Sequence, residues 1–583
     1  MTTNAEGVPH VALETVQDGN AYDLVVVGAG GAGMAAALFG AMEDLKVLLI
    51  ERTDAVGGTT AYSAGSAWIP NTHHSRTVGA EDDIENAASY LRNAIGSRSS
   101  ETMRRAFLVH GVNAVAELEG KSDVAFRARA LHPDYNSELD GSTLRGRVLE
   151  ALPFDGRKLG RRLAWIREPI PEFTVLGGMM VNQEDVQCLM TMHRSWPSFR
   201  RSIAMVLRHA RDRLTHRRGT RLMMGNALIG RLLYSLTRRA VPILLTTRVT
   251  RIELSGGRLY GLTISQRGIE RRIIVRRGVI MATGGFNRHP TRRLEFLRKP
   301  VAEYCPGAPG HTGELHDLVL ELGGYYGEKT GDTAFWAPVS VRKRRDGSDA
   351  VFPHFLFDRG KPGTVTVNKA GRRFVNEAVS YHQFVEGMYA ANESEPAIPA
   401  FLITDANGLR RYGLGMMRPG PWPLGPYLAD GYLTRGDTIE ELARKLGINP
   451  EGLEETVARM NRFAETGLDE DFGRGGTDYQ RITAGDPAHG PNPCLGPVRQ
   501  APFYAIRLYP GDIGASTGFV TDANGRVLHR SGEPIDGLYA CGNDMHSVMG
   551  GKYPGPGITI GPGLAFAYAA AKHAAGEGAR GRY

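Results

Sequence analysis

One βαβ pattern near the start of the sequence constrains the fold more strongly than any other segment. Residues 22–33 read YDLVVVGAGGAG, so an apolar strand runs into Gly28, Gly30 and Gly33, and a helix-forming segment follows. The next apolar segment, KVLLIE, ends at Glu51. Glycines at this spacing permit a tight turn, the approach of a pyrophosphate to a helix N-terminus and close helix–strand packing, while the acid binds a ribose hydroxyl. The pattern predicts a Rossmann-type dinucleotide-binding unit.

A second glycine-rich segment, directly after Glu51, indicates which dinucleotide binds. It reads RTDAVGGTTAYSAG and offers backbone N–H groups, hydroxyls and one guanidinium beyond the predicted ribose site. Nicotinamide-binding domains do not usually need a second cradle of this kind, whereas the extended FAD molecule does. We therefore predict noncovalently bound FAD. The predicted contacts in this segment are Arg52, Gly57, Gly58, Thr59, Thr60, Ser63 and Gly65.

Two later apolar strands end in glycine in a similar way. RRGVIMATGGF spans 276–286, and GLYACGNDM spans 537–545. Large flavoproteins bring such strand ends against FAD, and the further predicted contacts are Val249, Gly284, Gly285, Gly542, Asn543, Gly557 and Ile558. No second glycine fingerprint follows a strand, so the sequence predicts no nicotinamide site. Electrons from the reduced flavin must then pass to an external acceptor, and a quinone is one candidate.

The length of 583 residues suits two large domains better than a single core. We predict an α/β protein with a flexible tail over 1–21. A Rossmann-type FAD-binding domain is expected from 22–332 and 512–583, with an inserted α+β catalytic domain over 333–511. A basic segment over about 155–222 does not fit the flavin scaffold and is interpreted as an insertion.

Three features favour a cytoplasmic location. No N-terminal segment joins a basic start to an apolar stretch, as a signal peptide does. No apolar run reaches the roughly 18 residues that a membrane-spanning helix needs. The four cysteines are widely separated and match no metal-ligand spacing, which is typical of a reducing compartment and predicts no metal site. The alternative location is a peripheral position on the inner face of the membrane.

The segment at 363–384, GTVTVNKAGRRFVNEAVSYHQF, adds a family resemblance. Together with the flavin motifs, it resembles the fumarate reductase and 3-ketosteroid dehydrogenase superfamily of flavoproteins over most of the chain. The fumarate reductase branch has an arginine where this sequence has Tyr381. A dicarboxylate site needs cations, and a tyrosine supplies neither a charge nor a bidentate donor.

The ketosteroid branch matches this chain at the positions where the fumarate reductase branch does not. It has a tyrosine at the position of Tyr381, a tyrosine after a Pro-Asp pair, as Tyr135 in LHPDYNS, and a tyrosine before Pro-Gly-x-Gly, as in Tyr553 to Gly557. These matches come from distant parts of the chain. The sequence is thus similar to the 3-ketosteroid Δ1-dehydrogenases.

That resemblance implies a reaction and a role for each residue. Tyr553 and the Gly557 N–H would polarise the C3 carbonyl of a 3-ketosteroid as an oxyanion hole. Tyr381 would be the base that takes the C2 proton, and Tyr135 would be its hydrogen-bond partner. The C1 hydride would pass to flavin N5, which leaves a new C1–C2 double bond.

Other functions are compatible with the same motifs. A superfamily member of different specificity could desaturate the 4,5-bond of a steroid, or reduce an enone or another activated alkene. A non-catalytic flavin-binding protein at a membrane surface would require that the tyrosine and glycine pattern arose by accident.

The basic insertion contains an amphipathic pattern at 198–221, SFRRSIAMVLRHARDRLTHRRGTR. Apolar residues recur at helical spacing among many arginines, which is typical of a helix on an anionic bilayer surface. The alternative is a helix packed on its own domain with a solvated arginine face. Trp165 and Ile166, which lie between basic residues, are interpreted as interface residues as well. We predict no nucleic-acid binding, because no repeated aromatic residues accompany the charge.

Overall fold

The computed structural model describes residues 13–328, 331–355 and 358–576, and strands and helices follow one another along this part of the chain. In chain order its strands are β1 Asn20–Val27, β2 Val47–Ile50, β3 Ser66–Trp68, β4 Phe126–Ala128, β5 Val148–Ala151, β6 Phe154–Asp155, β7 Arg221–Leu222, β8 Ile243–Leu244, β9 Arg248–Ser255, β10 Arg258–Gln266, β11 Ile269–Met281, β12 Ala334–Lys343, β13 Asp349–Pro353, β14 Thr364–Val367, β15 Ala400–Asp405, β16 Thr434–Gly436, β17 Phe503–Ala515, β18 Arg526–Leu528 and β19 Pro534–Ala540.

Helices connect and cover these strands. They are α1 Gly31–Met42, α2 His74–Thr77, α3 Ile84–Ile95, α4 Glu101–Lys121, α5 Gln183–Thr191, α6 Trp196–Thr215, α7 Met224–Arg238, α8 Pro290–Phe296, α9 Glu314–Glu321, α10 Tyr381–Asn392, α11 Ala406–Tyr412, α12 Gly425–Ala429, α13 Ile439–Leu446, α14 Pro450–Thr466 and α15 Ile560–Ala574.

The first sheet has eight strands in the order β18-β19-β10-β11-β1-β2-β8, with β9 paired to β10. Strands β2 and β11 run parallel to β1, and β19 runs parallel to β11. Parallel strands end at the same edge of a sheet, so the glycine-rich segments after β1, β11 and β19 lie together there. The predicted Rossmann-type α/β fold is confirmed.

Helix α1 packs closely on β1 because of Gly33. A Cβ at Gly33 would lie 1.8 Å from the carbonyl oxygen of Gly28 and 3.1 Å from the Cβ of Ala282. Gly28 itself has a φ of 108°, a conformation that favours glycine. The glycine pattern therefore closes the turn and brings the helix against the sheet.

The second large sheet has six strands in the order β13-β12-β17-β15-β14, and β16 pairs with β17. Helices α10, α13 and α14 contribute apolar residues to the buried clusters around it. Its strands all come from 334–515, and β17 continues past the predicted boundary at 511. The division of the chain into domains stays a prediction.

The expectation of a flexible tail over 1–21 is wrong for the part that the structure describes. Leu13 and Val16 are buried in the core beside the first sheet, and β1 already begins at Asn20. The Gly19 N–H also donates to the Arg272 carbonyl at 2.9 Å. The burial of these apolar side chains holds the segment against the core. Residues 1–12 lie outside the described residues.

We expect Gly33→Ala to lower the free energy of unfolding by about 1–3 kcal/mol, because its methyl group would overlap a backbone oxygen. Gly30→Ala is the matched control, since a Cβ at Gly30 meets no atom within 4 Å and its φ is −76°. Thermal unfolding of the two proteins without cofactor measures the difference. Equal midpoints would contradict this account of the helix–strand packing.

Candidate active site

The three predicted catalytic tyrosines meet in one buried cluster. The Tyr135 hydroxyl donates a hydrogen bond to the Tyr381 hydroxyl at 3.3 Å. The ring centroids of Tyr381 and Tyr553 are 5.0 Å apart, and those of Tyr135 and Tyr553 are 5.8 Å apart. The structure thus brings together side chains that are hundreds of residues apart in sequence.

Local structure fixes the direction of each tyrosine. Tyr381 is the first residue of α10, where the Ser380 side chain caps the helix by accepting from the Gln383 N–H. The Tyr135 N–H donates to the Pro554 carbonyl at 2.9 Å, directly after Tyr553. The segment around Tyr135 is therefore tied by its backbone to the C-terminal glycine-proline loop.

Asp134 anchors the segment that carries Tyr135. Its carboxylate accepts from the Trp68 Nε1–H and from Arg147 Nη1, both at 2.7 Å, and Arg147 also pairs with Asp82 at 2.7 Å. Burial raises the pKa of Asp134 to about 6, although the nearby Arg147 charge opposes the shift. Sequence reasoning noticed only the Pro-Asp-Tyr motif, and the structure gives its aspartate a positioning function.

Gly557 has the backbone that an oxyanion donor requires. Its φ is 91°, and a Cβ there would lie 2.2 Å from the Ser66 carbonyl oxygen, so no other residue fits without movement. Its carbonyl accepts from the Trp68 N–H at 3.2 Å. Within the described parts of the chain, its own N–H donates to no acceptor and is available to a ligand.

Burial acts against the predicted base. It raises the pKa values of Tyr135 and Tyr381 well above the usual range of a phenol, and it raises the pKa of Tyr553 to about 12. The charge on one phenolate would also disfavour the next, because the three hydroxyls are neighbours. A tyrosinate base in this cluster therefore needs a source of positive charge.

Two residues of the site were missed by sequence reasoning. Tyr479 is buried, with its ring centroid 4.7 Å from that of Tyr135. Arg359 is fully buried and interacts electrostatically with Tyr479 and Tyr135. A lone tyrosine and a lone arginine outside any motif carry no sequence pattern that would have marked them.

The predicted FAD contacts around α1 also come together. Gly30 bridges to Gly57, and the Gly31 N–H donates to the Thr60 hydroxyl at 3.3 Å. Gly58 lies beside Gly30, where an added Cβ would approach to 3.3 Å. A Cβ on Gly30 itself would enter open space, so the backbone at this helix N-terminus is accessible to a pyrophosphate.

Glu51 sits at the edge of this cradle. Its carboxylate is buried and accepts from the Ala29 N–H at 2.8 Å. The Thr247 N–H donates to the Glu51 carbonyl at 2.9 Å, which brings the start of β9 and hence Val249 into this region. Arg52 instead pairs with Glu314 at 3.0 Å on α9, so its contact to FAD stays a prediction.

The remaining predicted contacts lie in two groups. The first group contains Thr59 and Gly284, which are linked through His311. The His311 ring contacts the Thr59 hydroxyl at 3.2 Å and lies against Gly284. Gly285 lies against Asn543. Gly542, Asn543 and Ile558 line one cavity, and the Gly65 N–H donates to the Ser63 hydroxyl at 3.0 Å. The cofactor residues are thus near one another, and their individual roles stay predictions.

Comparisons with known proteins agree with this geometry. Residues 23–560 match the model of the FAD binding domain family. A 3-oxosteroid 1-dehydrogenase of Mycolicibacterium smegmatis is 35% identical, over 97% of this chain and 99% of its own length. The chain belongs to the 3-ketosteroid dehydrogenase family of FAD-binding flavoproteins. It is therefore an FAD-dependent oxidoreductase.

Two further relatives describe the range of this family. A 4-oxocyclohex-2-ene-1-carboxylate 5-dehydrogenase of Sinomonas cyclohexanicum is 35% identical, over 95% of this chain and 94% of its own length. The crystal structure of a 3-ketosteroid Δ1-dehydrogenase from Sterolibacterium denitrificans, in complex with 1,4-androstadiene-3,17-dione, superimposes with a TM-score of 0.89. It is 32% identical and covers 96% of this chain and 100% of its own.

We expect Arg147→Met to destabilise the protein by about 3–5 kcal/mol, because it leaves the buried carboxylates of Asp82 and Asp134 without their cation. Arg127→Met is the control, since the exposed pair of Arg127 with Glu150 contributes at most about 1 kcal/mol. Denaturant unfolding measures both effects. Similar losses in the two variants would refute the anchoring role of Arg147.

Proposed function

We propose that the protein introduces a C1–C2 double bond into a 3-ketosteroid. The observation that supports this proposal is the buried cluster of Tyr135, Tyr381 and Tyr553. The Gly557 N–H, which has no acceptor among the described residues, adds a second donor. Two donors and a candidate base, all shielded from water, match the needs of desaturation beside a ketone.

The roles follow from the positions of these groups. Tyr553 and Gly557 donate to the C3 carbonyl oxygen, which makes the C2 proton acidic. Tyr381 takes that proton, and Tyr135 holds the Tyr381 hydroxyl by the observed hydrogen bond. Bound FAD supplies the acceptor for the C1 hydride. The steroid thereby loses one proton and one hydride, and the reduced flavin is reoxidised by an external acceptor, for which a quinone is our candidate.

We expect anaerobic addition of androst-4-ene-3,17-dione to bleach the flavin and to yield the 1,4-diene. Tyr381→Phe should slow this bleaching by at least about 100-fold, because it removes the base. Tyr553→Phe should slow it by a similar factor as one donor of the oxyanion hole is lost. Tyr504→Phe, a buried tyrosine of the second sheet, is the control and should leave the rate unchanged.

The products distinguish this function from its rivals. Loss of hydrogens from C4 and C5 of a saturated ketosteroid would indicate a 4,5-dehydrogenase, and flavin that is oxidised by an enone would indicate a reductase. Flavin that no ketone bleaches would favour a non-catalytic function. Any of these outcomes would overturn the proposed reaction.

A second candidate is desaturation of a carboxylated cyclohexenone. The 35% identity to the Sinomonas cyclohexanicum relative favours it, because the same donors and base serve any ring ketone. Bleaching by 4-oxocyclohex-2-ene-1-carboxylate but not by androst-4-ene-3,17-dione would select this candidate. Cholest-4-en-3-one in the same assay tests whether a steroid side chain is accepted.

The surface of the basic insertion supports a second part of the proposal, contact with an anionic lipid surface. In α6 the inward face is polar, with Ser202, His209 and Asp212 buried. Of the apolar residues in the helical pattern, Phe199, Leu207 and Leu214 are exposed, the last two to 64% and 85%, whereas Ile203 and Val206 are half-buried. The exposed apolar residues on and near this helix are Leu176, Val186, Met190, Trp196, Phe199, Leu207 and Leu214.

The charge around this apolar face fits a lipid headgroup. Arg200, Arg211, Arg213 and Arg217 are exposed and form no ion pair with the residues that the structure describes. Exposed apolar side chains flanked by arginines suit an anionic bilayer, from which the protein would draw a poorly soluble sterol. Among the described residues, no helix has both the length and the apolar character needed to span a bilayer.

Part of the interface interpretation from sequence is wrong. Trp165 and Ile166 are both buried in the protein core, so neither reaches a surface. Their neighbouring arginines suggested an interface, but the backbone of both residues pairs with Val56 and turns their side chains inward. The predicted lipid contact therefore rests on α6 and its surroundings alone.

We expect the protein to float with vesicles that contain phosphatidylglycerol and not with neutral phosphatidylcholine vesicles. The triple variant Phe199→Glu, Leu207→Glu and Leu214→Glu should abolish flotation, because it adds charge to the apolar face. Leu254→Glu, Leu294→Glu and Leu468→Glu, all exposed elsewhere, form the control. Equal flotation of both triple variants would exclude α6 as the lipid-binding surface.

A further inference from the structure

The guanidinium of Arg359 is buried, and no carboxylate among the described residues lies within ion-pair distance of it. The side chain is 0% exposed. Its Nε donates to the Phe355 carbonyl at 2.9 Å, Nη2 donates to the Val379 carbonyl at 2.6 Å, and Nη1 donates to the Glu377 carbonyl. Its hydrogen-bond acceptors among the described residues are thus neutral backbone oxygens, and the acid that acts on its charge among these residues is Asp358.

The acids closest in sequence have other partners. Asp358 accepts from His354 Nδ1 at 2.6 Å and from the Gly415 N–H at 2.8 Å. The Glu377 carboxylate pairs with Arg373 at 2.7 Å and with Arg474 at 3.2 Å. An isolated buried charge is costly, so its presence here needs a reason.

Arg359 contacts several residues that position Tyr381. It holds the carbonyl of Val379, two residues before Tyr381, and its guanidinium lies 4.9 Å from the ring centroid of Phe384 on the next turn of α10. The ring of Phe355, whose carbonyl it also binds, is 5.0 Å from the Tyr381 ring. The Arg359 side chain thus holds the backbone that leads into α10 and the backbone of Phe355, whose ring packs against Tyr381.

The positive charge also acts on the other phenols. It interacts favourably with an anion on Tyr479 or Tyr135, and burial lowers the pKa of Arg359 only to about 10, so it stays charged at neutral pH. Tyr479 and Tyr381 flank Tyr135, at ring distances of 4.7 and 5.7 Å. Within this cluster the charge of Arg359 thus acts on Tyr479 and on Tyr135, the hydrogen-bond partner of Tyr381.

We propose that Arg359 is the positioning residue that makes Tyr381 a base. It does so by fixing the backbone just before α10 and by stabilising the deprotonated tyrosine cluster with its charge. This inference rests on the proposed function, which requires a tyrosinate that burial alone would disfavour. The unpaired cation is then the element that offsets the burial of the anion.

Other charged and titratable groups face the cluster from every side, and their effects must be separated from that of Arg359. They are Arg129, Tyr135, Asp358, His382, Tyr479, Tyr553 and Arg474. The phenols disfavour a second negative charge, whereas Arg129 and Arg359 favour the first. All of these groups are kept in the variants below, so only the charge at position 359 changes.

The test compares Arg359→Gln, which keeps N–H donors without a charge, with Arg359→Lys, which keeps the charge. The pH dependence of anaerobic flavin bleaching reports the ionisation of the base. In Arg359→Gln the ascending limb should move to higher pH by at least about one unit, with an about tenfold slower reaction at neutral pH that recovers at high pH. Arg359→Lys should keep the limb near its original position.

A uniform loss would overturn the proposal. If both variants slow bleaching by one factor at every pH, with the limb unchanged, Arg359 acts only on structure. Thermal unfolding and flavin content of each variant identify a failure to fold.

A second measurement needs neither activity nor a variant at position 359. Ultraviolet titration of the protein and of Tyr381→Phe, by difference, gives the ionisation of Tyr381 directly. The proposal requires a midpoint at or below the roughly 10 of an ordinary phenol, and a midpoint far above that value would overturn it. If no ketone bleaches the flavin, the proposed function fails, whereas the same titration of Arg359→Gln and of its double variant with Tyr381→Phe still measures the effect of the Arg359 charge on Tyr381.

Discussion

The hydrogen bond from the Tyr135 N–H to the Pro554 carbonyl is the constraint on which the site depends. It joins a segment from the first quarter of the chain to the loop that carries Tyr553 and Gly557. The Tyr90 hydroxyl donates to the same carbonyl at 2.6 Å, so the oxygen is held from two directions. Without this hydrogen bond, the loop of Tyr553 and Gly557, the proposed oxyanion donors, would not be tied to the segment of Tyr135, the proposed partner of the base.

Buried charge supports that joint. Arg147 connects Asp82 to Asp134, and Trp68 connects Asp134 to the carbonyl of Gly557 through its side chain and its backbone N–H. These contacts are distributed over several loops and strands, so they fix the relative positions of elements that share no sheet. Directional polar contacts in this core thus fix the relative positions of elements that apolar packing alone would allow to slide past one another.

The sequence predicted the dinucleotide fold well because that fold has a local cause. Gly28 and Gly33 have separate steric roles within a few residues, and Gly30 leaves open space beside the turn, so the pattern can be recognised without any distant partner. The resemblance also identified the three tyrosines that meet in the site. Tyr479 and Arg359 could not be found in this way, since their importance comes only from distant neighbours. The burial of Leu13 and Val16 was missed for the same reason, and α6 showed that a helical apolar stripe does not reveal which side faces the protein.

The reacting groups come from segments that are far apart, and this has a consequence for how the protein loses activity. Tyr381 begins a helix packed on β12 of the second sheet, whereas Tyr135 lies between β4 and β5 and Tyr553 lies before α15, both outside that sheet. A shift of one sheet relative to the other would break the Tyr135–Tyr381 hydrogen bond while both sheets remained folded. Catalysis is thus a more sensitive reporter of the docking between the two halves than any spectroscopic measure of secondary structure.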